Sequence, residues 1–287
     1  MRVLLTGGSG LIGRHLPGLL RARGYEVHSL GRSPAHGHRA DLLDPAAVEA
    51  VLEGVSPTHL LHLAWHVEPG FRDAPENLEW FDATMRLVRR FAELGGARAV
   101  LAGTCFEVFG PPTLYSTCKA GLARMVAALG AEFGLSTAWG RVFFLHGPGE
   151  RVGRLVPSIA RALLAGEPAP CSHGRQVRDY LHAADVAAAF AALLDSQARG
   201  VVDVGSGEAV TIATLAETIA ELTGRPELLR LGALEASAGE PERIVADVAR
   251  LREEVGFAPA LTLRDGLAES VAYWRGELSA AAAAPAA

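Results

Sequence analysis

The chain has 287 residues, 49% of them apolar and 21% charged, which provides core for one two-lobed domain or two small ones and excludes a disordered protein. A net charge of -5 removes the electrostatic case for nucleic acid or an anionic membrane surface as partner. Three cysteines, at 105, 118 and 171, lack CxxC spacing, and no signal segment precedes the first strand, so reduced thiols and a cytoplasmic location are expected.

Arg2 to Thr6 reads as a short buried strand, and the glycines at 7, 8, 10 and 13 as a tight turn with a helix opening at Leu11. A glycine turn between strand and helix brings backbone close to a pyrophosphate, so Gly7, Gly10, Leu11, Ile12 and Gly13 are candidate dinucleotide contacts. Gly24 ends that helix, and Tyr25 to Leu30 form a second strand. At its end, where NAD enzymes hold a carboxylate for the ribose 2'-hydroxyl, stands Arg32, followed by His36, His38 and Arg39. This positive cluster suits a 2'-phosphate and thus NADP(H) over NAD(H); it also fits a solvated basic loop.

Asp44 and Pro45 cap a helix through Leu52. Thr58 to Ala64 is a strand for a parallel sheet covered on both faces, with His62 as a satisfied core residue and Ala64, Trp65 and His66 at the carboxyl edge, where ligands bind. A long amphipathic helix spans about 75 to 94, with Leu78, Phe81, Met85, Val88 and Phe91 or Ala92 as its apolar stripe. Arg98 to Ala102 is a strand emptying into Gly103, Thr104 and Cys105, and a helix of about 114 to 133 carries Tyr115 and Lys119. Thr137 to Phe144 is a strand and Gly153 to Leu164 a helix. Val177 to Leu181 leads into an alanine-rich helix from 183 to 195, Val201 to Val204 is a strand, and Thr211 to Leu222 a helix. Helices near 248 to 255 and 267 to 275 precede a low-complexity stretch, 279 to 287, expected to be a disordered tail. Ten histidines show no ligand spacing, and no metal site is expected.

Tyr115 and Lys119 lie four residues apart on one helix face. An ammonium beside a phenol favours the phenolate, which is what a general acid or base for a carbonyl and alcohol pair requires. The glycine turn, the hydroxyl-bearing strand end and this pair together resemble the short-chain dehydrogenase/reductase superfamily, in its extended NAD(P)-dependent epimerase/dehydratase branch of nucleotide-sugar enzymes. The resemblance spans nearly the whole chain. It implies an α/β fold, a doubly wound parallel sheet (Rossmann) with a smaller discontinuous α/β substrate lobe, residues 1–150 and 176–205 forming the first and 151–175 and 206–278 the second. It further implies that Asp41 and Leu42 contact adenine, that Leu63 and Ala64 line the cofactor, and that Tyr115 and Lys119 are the catalytic pair, with Lys119 also binding the nicotinamide ribose. Arg178 resembles the arginine that holds the sugar nucleotide's phosphates, and Asp185 sits in a helix-starting segment of structural role. His66, Cys105, His146, Arg151 and Arg243 are further candidate substrate contacts. Members of the family pair through two long helices, so a homodimer is expected.

Two departures shape the functional expectation. Thr104 and Cys105 stand where the family carries a pair of hydroxyl residues; counting back from Gly110 puts Cys105 at the catalytic position, whereas chemistry chooses Thr104, the candidate taken, because a thiol is a poor donor to a carbonyl oxygen. The loop between Gly110 and Tyr115 is short, and the segment resembles sugar-nucleotide 4-ketoreductases. A dehydratase would carry an Asp-Glu pair just after the hydroxyl, and here the corresponding positions are Phe106 and Glu107 or Cys105 and Phe106. The expected activity is NADPH-dependent reduction of a nucleotide-linked keto-deoxysugar. The alternatives are an NAD-dependent 4-epimerase or dehydratase and, in another class, a non-catalytic NADP-binding regulator.

Overall fold

The apolar runs of the N-terminal half become strands of one sheet: β1 (Arg2–Thr6), β2 (Glu26–Gly31), β3 (His38–Arg39), β4 (His59–His62), β5 (Arg98–Thr104), β6 (Ser136–Val142) and β7 (Gly200–Val204). Their order is β7-β6-β5-β4-β1-β2-β3 and every pairing is parallel. The computed structural model describes residues 1–33, 37–236 and 239–283, with backbone alone for 282 and 283.

Helices α1 (Leu16–Ala22), α2 (Pro45–Val55), α3 (Glu76–Glu93) and α4 (Leu114–Phe133) connect the strands. Alternation of side chains across a strand sends Leu4, Leu60, Ala99, Leu101 and Trp139 to one face, where they pack with Leu52 of α2, Leu87 and Phe91 of α3, and Leu122 and Val126 of α4. The intervening Val3, Leu5, Leu61 and Val100 are equally buried. On that opposite face Phe190, from the helix Ala183–Asp195, lies so close to Gly140 that a Cβ there would meet its ring at 2.6 Å. Helices on both faces make the sheet doubly wound, as expected, and each fully buried aliphatic side chain contributes about 1.5–3 kcal/mol.

The chain divides into two units. The first comprises Met1–Val142, Val186–Val204 and Asp247–Ala258; the second comprises Phe143–Asp185, Gly205–Ala246 and Pro259 onward. In the second unit the helices Leu155–Leu164, Ile212–Thr223 and Leu263–Ala283 bury Val156, Ile159, Leu215, Ile219, Leu267 and Trp274 together. Asp179, fully buried, accepts from the backbone of Ser206, Gly207 and Ala246 and so ties three segments of this unit together. Asp185 accepts from the backbone of Ala260 and Leu261, a structural use.

Several elements differ from expectation. The first helix does not open at Leu11: a 3-10 turn occupies Gly13–His15, and α1 starts at Leu16 with Pro17 in its first turn. Pro17 has no N–H to bond the Gly13 carbonyl, so no α-helical ladder can run through that point. The strand expected over 137 to 144 ends at Val142, because Phe144–His146 pairs instead with Tyr180–His182 and the Phe144 N–H donates to the Asp179 carbonyl. The terminal helix runs on through residue 283, past Ser279 where a disordered tail was expected, since alanine extends a helix already anchored by Leu267, Val271 and Trp274. Residues 284–287 lie outside those described. The three cysteines are buried and form no disulfide. No helix among the described residues is long and apolar enough to cross a membrane.

Candidate active site

The strand order reverses between β1 and β4, and open parallel sheets bind ligands outside the carboxyl ends of strands at such a point. There the chain leaving β1 turns through Gly7, with φ +74°, and the Gly10 N–H donates to the Gly7 carbonyl. A Cβ on Gly13 would stand 2.0 Å from the Gly7 carbonyl oxygen, and one on Gly7 would stand 2.7 Å from the Ala64 nitrogen. Only glycine permits this closeness, so the turn lies directly against Leu63 and Ala64 leaving β4. The Thr6 hydroxyl bonds the His62 ring at 2.8 Å, and the other ring nitrogen meets Thr84 at 3.1 Å. Full burial holds the His62 pKa down to about 3, so it is a neutral structural residue.

Around the end of β2 the structure thins the predicted basic cluster. Arg32 and Arg39 are exposed, and pairing of Gly31 with Arg39 sets both at the β2 terminus. His38 bonds His28 at 3.1 Å, and burial together with that neighbour lowers its pKa, so it adds no charge at neutral pH. His36 lies outside the described residues. The Asp41 carboxylate accepts from the Leu43 N–H, and Leu42 packs into the core with Leu4 and Leu30.

Past β5 the geometry is dense. Thr104 is buried and caps a short 3-10 turn, Cys105–Glu107, by accepting from the Phe106 N–H at 3.4 Å, which leaves its hydroxyl proton to donate. Cys105 is 2% exposed. The Glu107 carboxylate accepts from the Thr104 N–H, from Trp139 Nε1 at 2.9 Å and from Arg141 Nε at 3.2 Å, and Arg141 also pairs with Asp203. With all these partners Glu107 is a structural anchor and not a free acid.

Thr113 caps α4, and the Tyr115 N–H, one of the unpaired donors of a helix's first turn, donates to the Arg72 carbonyl at 2.8 Å. The half-buried Tyr115 ring meets Phe71 edge-on at 4.9 Å and Trp65 at 6.4 Å. One turn on, Lys119 is buried; its Nζ donates to the Ala102 carbonyl at 2.9 Å and sits 3.9 Å from the Trp65 ring centre and 5.7 Å from that of Trp139. Burial, opposed by the charge of Glu107, brings its pKa down to about 7.

The structure therefore gathers Gly7, Gly13, Leu63 and Ala64 into one cradle, and links Tyr115 and Lys119 through Trp65. His66, beside Trp65, is half-buried. Cys105 belongs to the first unit, and the other predicted substrate contacts belong to the second. His146 is buried against Ser270, 3.2 Å away, and burial lowers its pKa to about 3. Arg178 is 1% exposed, with its guanidinium donating to Glu240 and to the Val177 and Glu242 carbonyls. Arg151 and Arg243 are exposed.

The sequence places Trp65 at the ligand-binding edge without giving it a role, and it singles out neither Asn77 nor Trp139. A further signal was present: of 27 lysine and arginine residues, Lys119 alone is lysine. Arginine stays protonated, whereas lysine shifts its pKa readily when buried, and the one position that keeps a lysine is a buried one.

The profile of the NAD dependent epimerase/dehydratase family matches residues 3–205. A dTDP-4-dehydro-6-deoxy-D-allose reductase of Streptomyces bikiniensis is 26% identical over 315 residues, covering 95% of this chain and 96% of that protein. A 3-diazoavenalumate denitrifying reductase of a Streptomyces species is 30% identical over 252 residues, covering 79% and 83%. Among solved structures, the UDP-glucose 4-epimerase of Thermus thermophilus in complex with NAD superposes with a TM-score of 0.82 at 28% identity, over 96% of this chain and 99% of that one.

Proposed function

Because the chain belongs to the NAD dependent epimerase/dehydratase family, we propose that it is an NADPH-dependent reductase of a nucleotide-linked keto-deoxysugar in which Tyr115 is the general acid. The observation that carries this reading is the buried lone lysine, Lys119, one helical turn after Tyr115.

The residues present fit a dinucleotide. The Gly7 and Gly13 contacts leave the backbone at the β1 edge without side chains, Leu63 and Ala64 border it, and Asp41 and Leu42 would contact the adenine. Arg32 and Arg39, both exposed at the end of β2, would hold a 2'-phosphate. NADPH, when bound, supplies hydride to the ketone carbon. Tyr115 delivers its phenolic proton to the oxygen as it becomes an alkoxide, and Thr104 donates a hydrogen bond to the same oxygen. Lys119 stabilises the phenolate left behind and is expected to bond the nicotinamide ribose. The engagement of Glu107 by Trp139 and Arg141 argues against a dehydratase, which needs a free acid near this point. Stoichiometric consumption of NADPH with a 4-keto sugar nucleotide separates the reductase from an epimerase.

Tyr115→Phe tests the assignment. Turnover should fall about 10²- to 10⁴-fold while NADPH binding, followed by its fluorescence, stays unchanged; retained turnover refutes the role. Arg32→Ala should weaken NADPH relative to NADH, and an unchanged preference refutes the 2'-phosphate assignment.

One observation favours a second reading. Arg178, the proposed phosphate partner, already donates to Glu240, so a sugar diphosphate there must replace that carboxylate. A keto substrate lacking a nucleotide needs no such exchange. Glu240→Gln should lower KM for the nucleotide-linked sugar in the first case and leave KM unchanged in the second. We also infer a homodimer through α3 and α4, whose exposed Leu78 and Met125 support it, with light scattering as the check.

A further inference from the structure

We propose that Trp65 is a positioning residue for Lys119: its indole face, fixed in orientation by Asn77, holds the buried ammonium in its charged form beside Tyr115. The proposal rests on the reading of Tyr115 and Lys119 as the catalytic pair.

An ammonium has three protons to place, and burying it without partners is costly. Among the described residues Lys119 makes no ion pair, and its hydrogen bond goes to one carbonyl, that of Ala102. Besides the charge of Glu107, favourable electrostatics come from aromatic faces. Nζ lies 3.9 Å from the centre of Trp65 and 5.7 Å from that of Trp139, both within the reach of a cation–π interaction. Trp65 is thus the closer face, and it alone of the two also contacts the Tyr115 ring.

Its orientation is set from behind. Trp65 Nε1 donates to Asn77 Oδ1 at 2.9 Å, and the amide nitrogen of Asn77 donates to the Phe71 and Ala74 carbonyls at 2.6 and 2.8 Å. Asn77 is fully buried, so these bonds fold the segment from Trp65 to Asn77 about one amide. That segment also supplies the Arg72 carbonyl and the Phe71 ring to Tyr115. One loop therefore positions the ammonium and the phenol together.

The titratable groups that act on Lys119 are Glu107, which favours its charged form and is itself paired with Arg141; the Cys118 thiol beside it; and His62, held neutral between Thr6 and Thr84, while Tyr115 lies one turn earlier on the same helix. None is the direct ion-pair partner that would make the indole face redundant.

The single lysine makes the test direct. Protein labelled with 13Cε-lysine gives one lysine Cε resonance, whose pH titration reports Lys119 alone. Tryptophans with one, two and three fluorines, installed at position 65 only, weaken the ring face with little change in shape. The Lys119 pKa should fall stepwise, by about one unit across the series, and the alkaline limb of kcat/KM should move down with it. An unchanged lysine pKa across the series overturns the proposal and leaves Trp65 as packing. A falling pKa with an unmoved pH–rate profile upholds the positioning and instead removes Lys119 from catalysis.

Discussion

At Lys119 the demands of folding and of the proposed chemistry diverge. Burial lowers its pKa from the ordinary 10.5 to about 7, so between those values the unfolded chain binds a proton that the folded chain releases, and stability rises with pH across that window. Lys119→Met removes the buried charge. The variant should lose turnover yet melt at a higher temperature than the wild type at pH 7, with the gap narrowing toward pH 10; a lower Tm at pH 7 would refute the account. Gly103 shows the converse, a residue with no chemistry on which the site depends. A Cβ there would stand 2.0 Å from Trp139 Nε1 and 2.4 Å from Glu107 Oε1, inside the bond that anchors the strand end. Gly103→Ala should cost about 1–3 kcal/mol, read from the urea midpoint, and lower kcat by displacing Thr104.

At the scale of elements, α3 shows how far periodicity carries. The length and position of the helix are legible from its repeat, but the predicted stripe placed Leu78 inward, and Leu78 is 55% exposed. The buried face instead includes Asn77 and Thr84, which serve Trp65 and His62. A hydrophobic pattern cannot register a polar residue that is buried because a distant strand end offers it a partner. Asn77→Leu would leave the Trp65 N–H and two carbonyls without their bonds. It should destabilise by about 2–4 kcal/mol, measured by urea unfolding, where a surface asparagine would cost almost nothing. The glycine turn after β1 is the opposite case. Its glycines were readable because the φ and contact demands that select them are local.

For the whole molecule, two buried ionisable groups in separate units set opposing pH trends. Glu150 in the second unit is buried, its Oε2 has no hydrogen-bond partner among the described residues, and burial raises its pKa from 4.5 to about 8. Its contribution is fully present below pH 4.5 and is lost as pH rises through about 8, because the unfolded chain gives up the proton first. Glu150→Gln should therefore be more stable than the wild type at pH 8, with the advantage vanishing near pH 5; thermal melts over that range decide it. The Lys119 contribution runs the other way above pH 7. By itself the sequence determined the alternation of strands and helices, the glycine turn, and the pairing of Tyr115 with Lys119, since each depends on short-range spacing. Only the tertiary structure decided that Trp65 and Trp139 flank that lysine, that Glu107 is bound and Arg178 already paired, and that burial beside His28 lowers the His38 pKa, because burial and partners come from other segments of the chain.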